Sequence, residues 1–245
     1  MTLDVDDQLA LIEGATGRLL RTVSTFTDDD TRAPSALPGW SRGHVITHLA
    51  RNADGQGNLL AWARTGVPSP MYASRAARAE AIDAGAGRSA SELRADLTAA
   101  CGRWAHTAAA LPAASWDIPV TLRSADPPVA ARAVLDSRLQ EVEIHHIDLG
   151  AGYGFDRSPD DLLAPVIDYT VEALKDRPGV ESFTLVATDL GRSWTVSPAG
   201  RQPVHQIPVV NGPAADLLCW LVERGRPATL RRARGGSLPT LPSWG

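Results

Sequence analysis

The spacing of apolar residues changes near position 155, and no other feature of the sequence constrains the fold as strongly. Before that point they recur at helical spacing over long stretches; beyond it, short strand-like runs take over. Over residues 3–27, Leu9, Ile12, Leu19, Leu20 and Val23 follow helical spacing. The loop TDDDTRAPSALPGW comes next, and Ser41 is placed to cap a helix running to about Thr65, with Gly66 beyond its end. Residues 66–90 read as a long connection with a short helix around 74–82. Ser89 and Glu92 then make a capping box for a third long helix reaching toward Leu111. After a Pro-rich irregular stretch, a fourth apolar helix spans about 130–149, and Gly150, Gly152 and Gly154 close it. Four long helices with one buried face each predict a bundle.

The remainder has a different grammar. Ser158-Pro159-Asp160-Asp161 is a strong helix start, with a cap, a proline at the first position and acids near the positive end of the dipole. Strand-like pieces follow at 182–188, 193–197 and 206–210, and Gly212-Pro213 introduces a last helix to about Glu223. The expected fold class is therefore α + α/β: a four-helix bundle over residues 1–154 and a small C-terminal α/β domain over residues 155–245.

Composition narrows the partners. The hydrophobic fraction of 44% is enough for a sizeable core, and the formal net charge of -4 argues against a broad phosphate-binding surface. Cys101 and Cys219 lie far apart without CxxC spacing, so neither a disulfide framework nor a thiolate zinc site is indicated. The opening MTLDVDDQLALIEGA carries acids where a secretory leader carries basic residues, and no apolar run approaches the ~20 residues of a membrane span. A cytoplasmic monomer is expected, with small molecules rather than nucleic acid or membrane as partners.

The polar residues of interest sit on two of the bundle helices. Val45, Asn52, Leu59 and Ala63 fall within ~60° of His48 around the second long helix, so His48 faces inward. Alone, it reads equally as a buried, satisfied histidine. The stretch RLQEVEIHHID puts Glu141 and His145 one turn apart, and Asp148 on the same polar stripe of an otherwise apolar helix. An ordinary solvated Glu–His pair is one reading. Taken together, His48, Glu141 and His145 supply two nitrogens and a carboxylate oxygen, a donor set suited to a catalytic zinc with positions left open. Asp148 and Asn52 would then orient a ligand imidazole or a metal-bound water.

The stretches GWSRGHVITHLARNADG and RLQEVEIHHIDLG resemble the paired helix motifs of DinB-like metalloproteins, specifically the mycothiol-dependent maleylpyruvate isomerases. The intervening PMYASRAARAEAI is similar to the isomerases as well, and LCWLVERG resembles a family segment ending in a Gly-Arg-like pair. The resemblance implies a DinB-like four-helix bundle with a small α/β domain, and a Zn²⁺ or other divalent ion on His48, Glu141 and His145. It also implies mycothiol as a thiol cosubstrate, whose thiolate adds to the cis double bond of maleylpyruvate so that the bond rotates before elimination. Asp148 would support catalysis. Arg224 matches the arginine that the family places near the active site, as a clamp for a substrate carboxylate, with Arg226 as the competitor for that role. A substrate lid would fall at residues 121–128. The same metal and thiol also suit an S-transferase, metal-activated water a hydrolase, and the bundle alone a non-catalytic metal or small-molecule binding protein.

Overall fold

The computed structural model describes residues 3–123, 127–175, 177–197, 207–225, 227–233 and 235–242. It separates into two compact units, residues 1–152 and 153–245. Together they give the α + α/β class expected from the sequence.

In the first unit, α1 (Val5–Ser24) buries Ile12, Ala15, Leu19 and Val23, a stripe at helical spacing, and Asp4 caps its start. Helix α2 (Asp28–Arg32) is a short turn inside what the sequence reads as loop; Thr27 and Asp30 close it with a capping box. Helix α3 (Arg42–Thr65) begins at Ser41 and ends at Gly66, whose φ of 71° is the left-handed conformation of a helix stop. Helix α4 (Arg75–Ala86) runs a turn further than its sequence spacing suggests, and α5 (Ala90–Ala109) starts on the Ser89–Glu92 capping box. Helix α6 (Ala133–Asp148) completes the set. Helices α3 and α1 each pack against both α5 and α6, which closes a four-helix bundle, while α4 lies outside it against α3. The Pro-rich stretch before α6 is partly ordered: β1 (Pro119–Val120) pairs antiparallel with β2 (Val129–Ala130). Residues 124–126 of the expected lid lie outside the described residues.

Two contacts set the register of the site-bearing helices. Arg42, at the start of α3, donates through Nε to the Leu149 carbonyl at 2.7 Å and through Nη2 to that of Gly150 at 3.1 Å. A cation thus satisfies orphan carbonyls at the negative end of α6 and holds the first turn of α3 beside the last turn of α6. The second contact is steric. A Cβ on Gly43 would overlap the Ala86 carbonyl oxygen, and one on Gly85 would lie 2.5 Å from Thr47 Cγ2. Glycine at both positions lets α4 sit against the backbone of α3.

In the second unit, α7 (Asp160–Lys175) and α8 (Ala214–Leu221) pack with a four-stranded sheet ordered β4-β3-β5-β6. Strands β3 (Phe183–Ala187) and β4 (Arg192–Val196) form an antiparallel hairpin; β3 and β5 (Val209–Gly212) are parallel; β6 (Arg231–Arg232) runs antiparallel to β5. Phe183, Leu185 and Ala187 alternate inward along β3. The third strand lies later than the 206–210 run suggests, because its pairing with β3 continues to Gly212. Asp189 accepts from the Ala214 amide at 3.0 Å, capping α8 from the hairpin turn where Pro213 offers no side-chain cap. Helix α8 ends in a Schellman motif: the Arg224 amide donates to the Cys219 carbonyl at 2.9 Å and the Glu223 amide to that of Trp220 at 3.1 Å. Glu223 stands at its left-handed position with φ 55°.

The steric account of α4 makes a prediction. Gly43→Ala is expected to destabilise the protein by about 1–3 kcal/mol, the usual cost of forcing a group into a packed interior. Denaturant unfolding measures it; an unchanged midpoint would show that α4 can shift away freely.

Candidate metal centre

The antiparallel pairing of α3 and α6 brings three donor atoms together. His48 Nε2 lies 3.1 Å from Glu141 Oε2 and 3.0 Å from His145 Nε2, and His145 Nε2 is 3.4 Å from Glu141 Oε2. The described residues contain one group of three or more His, Cys, Asp or Glu side chains placed to hold a metal ion, and it is this one. Four donors at about 2.0–2.1 Å around a tetrahedral ion lie roughly 3.3 Å from one another, so these separations fit one ion with His₂Glu ligation. His48 is 3% exposed, while Glu141 at 26% and His145 at 16% leave an open side for a further ligand.

The surroundings treat the two histidines differently. Asp148, fully buried, lies with Oδ2 2.8 Å from His145 Nδ1, which donates to it. This is the usual support of a metal-binding imidazole, because it fixes the tautomer and leaves Nε2 facing the cluster. Behind His48 stands a cation: Arg78 Nη2 donates to His48 Nδ1 at 3.1 Å. Trp40 presses edge-on against the His48 ring, with centroids 5.7 Å apart. Trp40 thus helps to fix the plane of His48.

Electrostatics follow from this arrangement in the metal-free protein. Burial, reinforced by the positive charge on His145, pushes His48 down to about 4. Burial also opposes charge on His145, but hydrogen bonds to Asp148 and Glu141 outweigh it and raise that ring to about 9. Burial likewise opposes charge on Glu141, and the two imidazoles overcome it, holding the carboxyl well below its usual range. The metal-free cluster is a neutral His48 beside a His145–Glu141 ion pair.

The other expected residues have clear positions. Asn52 is engaged by Arg138, its Oδ1 accepting from Arg138 Nη1 at 3.1 Å. Arg138, one turn before Glu141 on α6, is wholly buried, with its Nη1 3.4 Å from the Leu49 carbonyl and Nη2 3.2 Å from Cys101 Sγ. His44 is a capping residue, its Nδ1 accepting from the Ser41 amide at 3.1 Å. In the second unit, Arg224 Nη1 donates to the Val222 carbonyl at 2.8 Å, just past α8; Arg226 lies outside the described residues.

Sequence reasoning missed Arg78. Its signal was available: Ile82 and Gly85, one and two turns on, are buried, so Arg78 shares the inward face of α4. Met71 and Tyr72 approach α3 where Gly55 makes room; a Cβ there would lie 2.9 Å from the Met71 carbonyl oxygen.

A family model described as the mycothiol maleylpyruvate isomerase N-terminal domain matches residues 12–150. The chain belongs to this family. The match spans all four bundle helices but for the first turns of α1, and with them the whole donor cluster. Two solved structures are similar to this chain over 100% of both chains, each with 27% identity and a TM-score of 0.86. They are a crystal structure of the mycothiol-dependent maleylpyruvate isomerase and one of a histidine-to-alanine mutant of it. The likeness therefore extends beyond the isomerase N-terminal domain to the second unit. No curated protein matches. Among the described residues, no helix is long and apolar enough to cross a membrane.

Two predictions follow from the cluster. After zinc loading, elemental analysis is expected to find one ion per chain, lost in His48→Ala and His145→Ala and weakened about 10–100-fold in Asp148→Asn; equal metal content in all four would refute the ligand set. The second concerns the metal-free protein. His48, lowered from 6.5 to about 4, binds fewer protons when folded, so its contribution is present above pH 6.5 and lost as pH falls toward 4. His145, raised to about 9, contributes fully below pH 6.5 and loses that contribution as pH rises through 9. Unfolding in chelator should thus show greatest stability near pH 6.5, with each of these histidines contributing a slope of up to about 1.4 kcal/mol per pH unit on its own side. A stability that kept rising to pH 9 would contradict the assigned charge on His145.

Proposed function

We propose that this protein is a metal- and mycothiol-dependent cis–trans isomerase acting on maleylpyruvate or a closely related conjugated keto acid. The observation that carries this reading is the His48–Glu141–His145 cluster, with donor separations of 3.0–3.4 Å, inside a bundle of the maleylpyruvate isomerase family. Zinc is the ion that best suits two imidazoles and a carboxylate with an open position. A divalent ion held there would favour the thiolate form of the cosubstrate thiol, the reacting species.

The protein's own groups bind and orient. Asp148 holds the His145 ring with Nε2 toward the cluster, and Trp40 holds the plane of His48. The thiolate sulfur adds to one carbon of the cis double bond, and the electron pair passes to the conjugated carbonyl oxygen as an enolate. The former double bond now rotates as a single bond. The pair returns, the carbon–sulfur bond breaks, and the trans isomer, fumarylpyruvate, leaves with the thiol regenerated. This is nucleophilic catalysis with a borrowed nucleophile. Neither cysteine of the chain has a part in it: Cys101 is buried, with Arg138 Nη2 on its sulfur, and Cys219 lies on α8 of the second unit. Arg224 is assigned to a substrate carboxylate on the resemblance of its segment, since a guanidinium fork suits two-point contact with such a group. A cytoplasmic location, where low-molecular-weight thiols are kept reduced, fits this chemistry.

Zinc-loaded protein incubated with mycothiol and maleylpyruvate is expected to yield fumarylpyruvate with no net loss of thiol, followed by proton NMR. Accumulation of a stable thiol adduct would instead identify an S-transferase, and no reaction with intact zinc and thiol would defeat the isomerase reading. Arg224→Ala should keep its zinc while KM rises about tenfold; unchanged kinetics would remove Arg224 from substrate binding.

A further inference from the structure

Arg78 occupies an unusual position for an arginine. Its guanidinium carries donors only, yet it sits 3.1 Å from the outer nitrogen of a proposed metal-binding histidine, with its Cζ 5.7 Å from the centre of the Tyr72 ring. Arg18, Arg42, Arg51, Arg88 and Arg103 each pair with a carboxylate; among the described residues Arg78 pairs with none. It also lines an open cavity of about 260 Å³, together with Arg51, Asp54, Asn58, Met71 and Tyr72. The other charges on that wall are committed. Arg51 pairs with Asp54 at 3.3 Å and Asp96 at 2.6 Å, and Asp54 also pairs with Arg103 at 2.6 Å. Tyr72, whose ring lies beside the Arg78 guanidinium, adds a buried hydroxyl to the same wall.

The contact with His48 is one that a metal would break. An imidazole bound to an ion through Nε2 keeps its ring hydrogen on Nδ1, and Nδ1 then faces Arg78 as donor against donor. The dication adds repulsion between like charges. Arg78 is half-buried, on a flexible stem beside the cavity, so it has somewhere to turn. We propose that Arg78 is a carboxylate-binding residue of the substrate site, resting on His48 only while no metal holds that ring and swinging into the adjoining cavity when one does. There its fork meets a carboxylate of the substrate, and the Tyr72 hydroxyl stands ready to donate beside it. Metal loading and anion binding are thereby coupled, since the first frees the cation that the second uses.

The inference rests on the metal-centre part of the function proposed above, and not on the reaction's outcome, because its test reads binding without turnover. Zinc is titrated calorimetrically into chelator-stripped wild type, Arg78→Ala and Arg78→Gln, and maleate is then titrated into each zinc-loaded protein. Both variants are expected to take up zinc several-fold more tightly than wild type, having no bond to Arg78 to break. Both should lose maleate affinity by at least about tenfold, the scale of one charged hydrogen-bonded contact. Arg78→Gln keeps much of the side chain's bulk and a donor while removing the charge, so it reports even where Arg78→Ala perturbs α4. Maleate affinity unchanged in both variants would overturn the proposal. So would weaker zinc binding in both, which would make Arg78 a support for His48 rather than a residue displaced from it. Failure of wild type to take up zinc would overturn the metal centre and this inference together.

Discussion

One buried guanidinium braces the part of the bundle on which the donor cluster depends. Arg138 comes from α6, bonds to the Leu49 carbonyl and Asn52 Oδ1 on α3, and reaches Cys101 Sγ and the face of Trp104 on α5. Among the described residues no carboxylate is hydrogen-bonded to it. Removing such a cation from water costs several kcal/mol, so its neutral acceptors and the aromatic face must be held in place to offset that cost. Three helices are fixed relative to one another as a result. His48 lies one turn before Asn52, and Glu141 one turn after Arg138, so the brace sets the spacing across which the proposed metal-binding groups meet.

The two histidines show how a centre can be half prepared. His145 has a carboxylate behind it and is oriented before any ion arrives, whereas His48 has a guanidinium behind it and must exchange partners. An ion entering this cluster would displace a proton from His145 and a hydrogen bond from His48, and both displacements would make its binding weaker than the donor geometry alone would give.

Much of the architecture was legible in the sequence because helices announce their ends. Ser41, Ser89 and Gly66 stand where capping chemistry demands, and apolar spacing reported the buried faces between them. The proposed ligands were legible for the same reason: one-turn spacing on an apolar helix leaves few ways to satisfy Glu141 and His145. What escaped was set by contacts between distant segments. Arg138 falls one turn before Glu141 on the same side of α6, and periodicity cannot tell a solvated face from a buried one that finds partners on two other helices. Arg78 was harder to place: its spacing from Ile82 and Gly85 marks the inward face of α4, but what that face meets depends on Gly43 and Gly85, whose meaning is steric and shows only beside the partner helix. The short pairing of β1 with β2 and the late start of β5 belong to the same class, since register is decided by the neighbouring strand.

The end of α8 shows the reverse, a structural feature that outlives its usual letter. Glu223 fills the left-handed position of a Schellman motif normally given to glycine, and both amides that close the motif keep their bonds. The direction in which the chain leaves the helix, and hence where Arg224 begins, is therefore set by hydrogen-bonded geometry rather than by residue identity. Relatives that differ at this place can share a common exit path, so a search for kin by spelling alone would discard members that a comparison of backbone shape would retain.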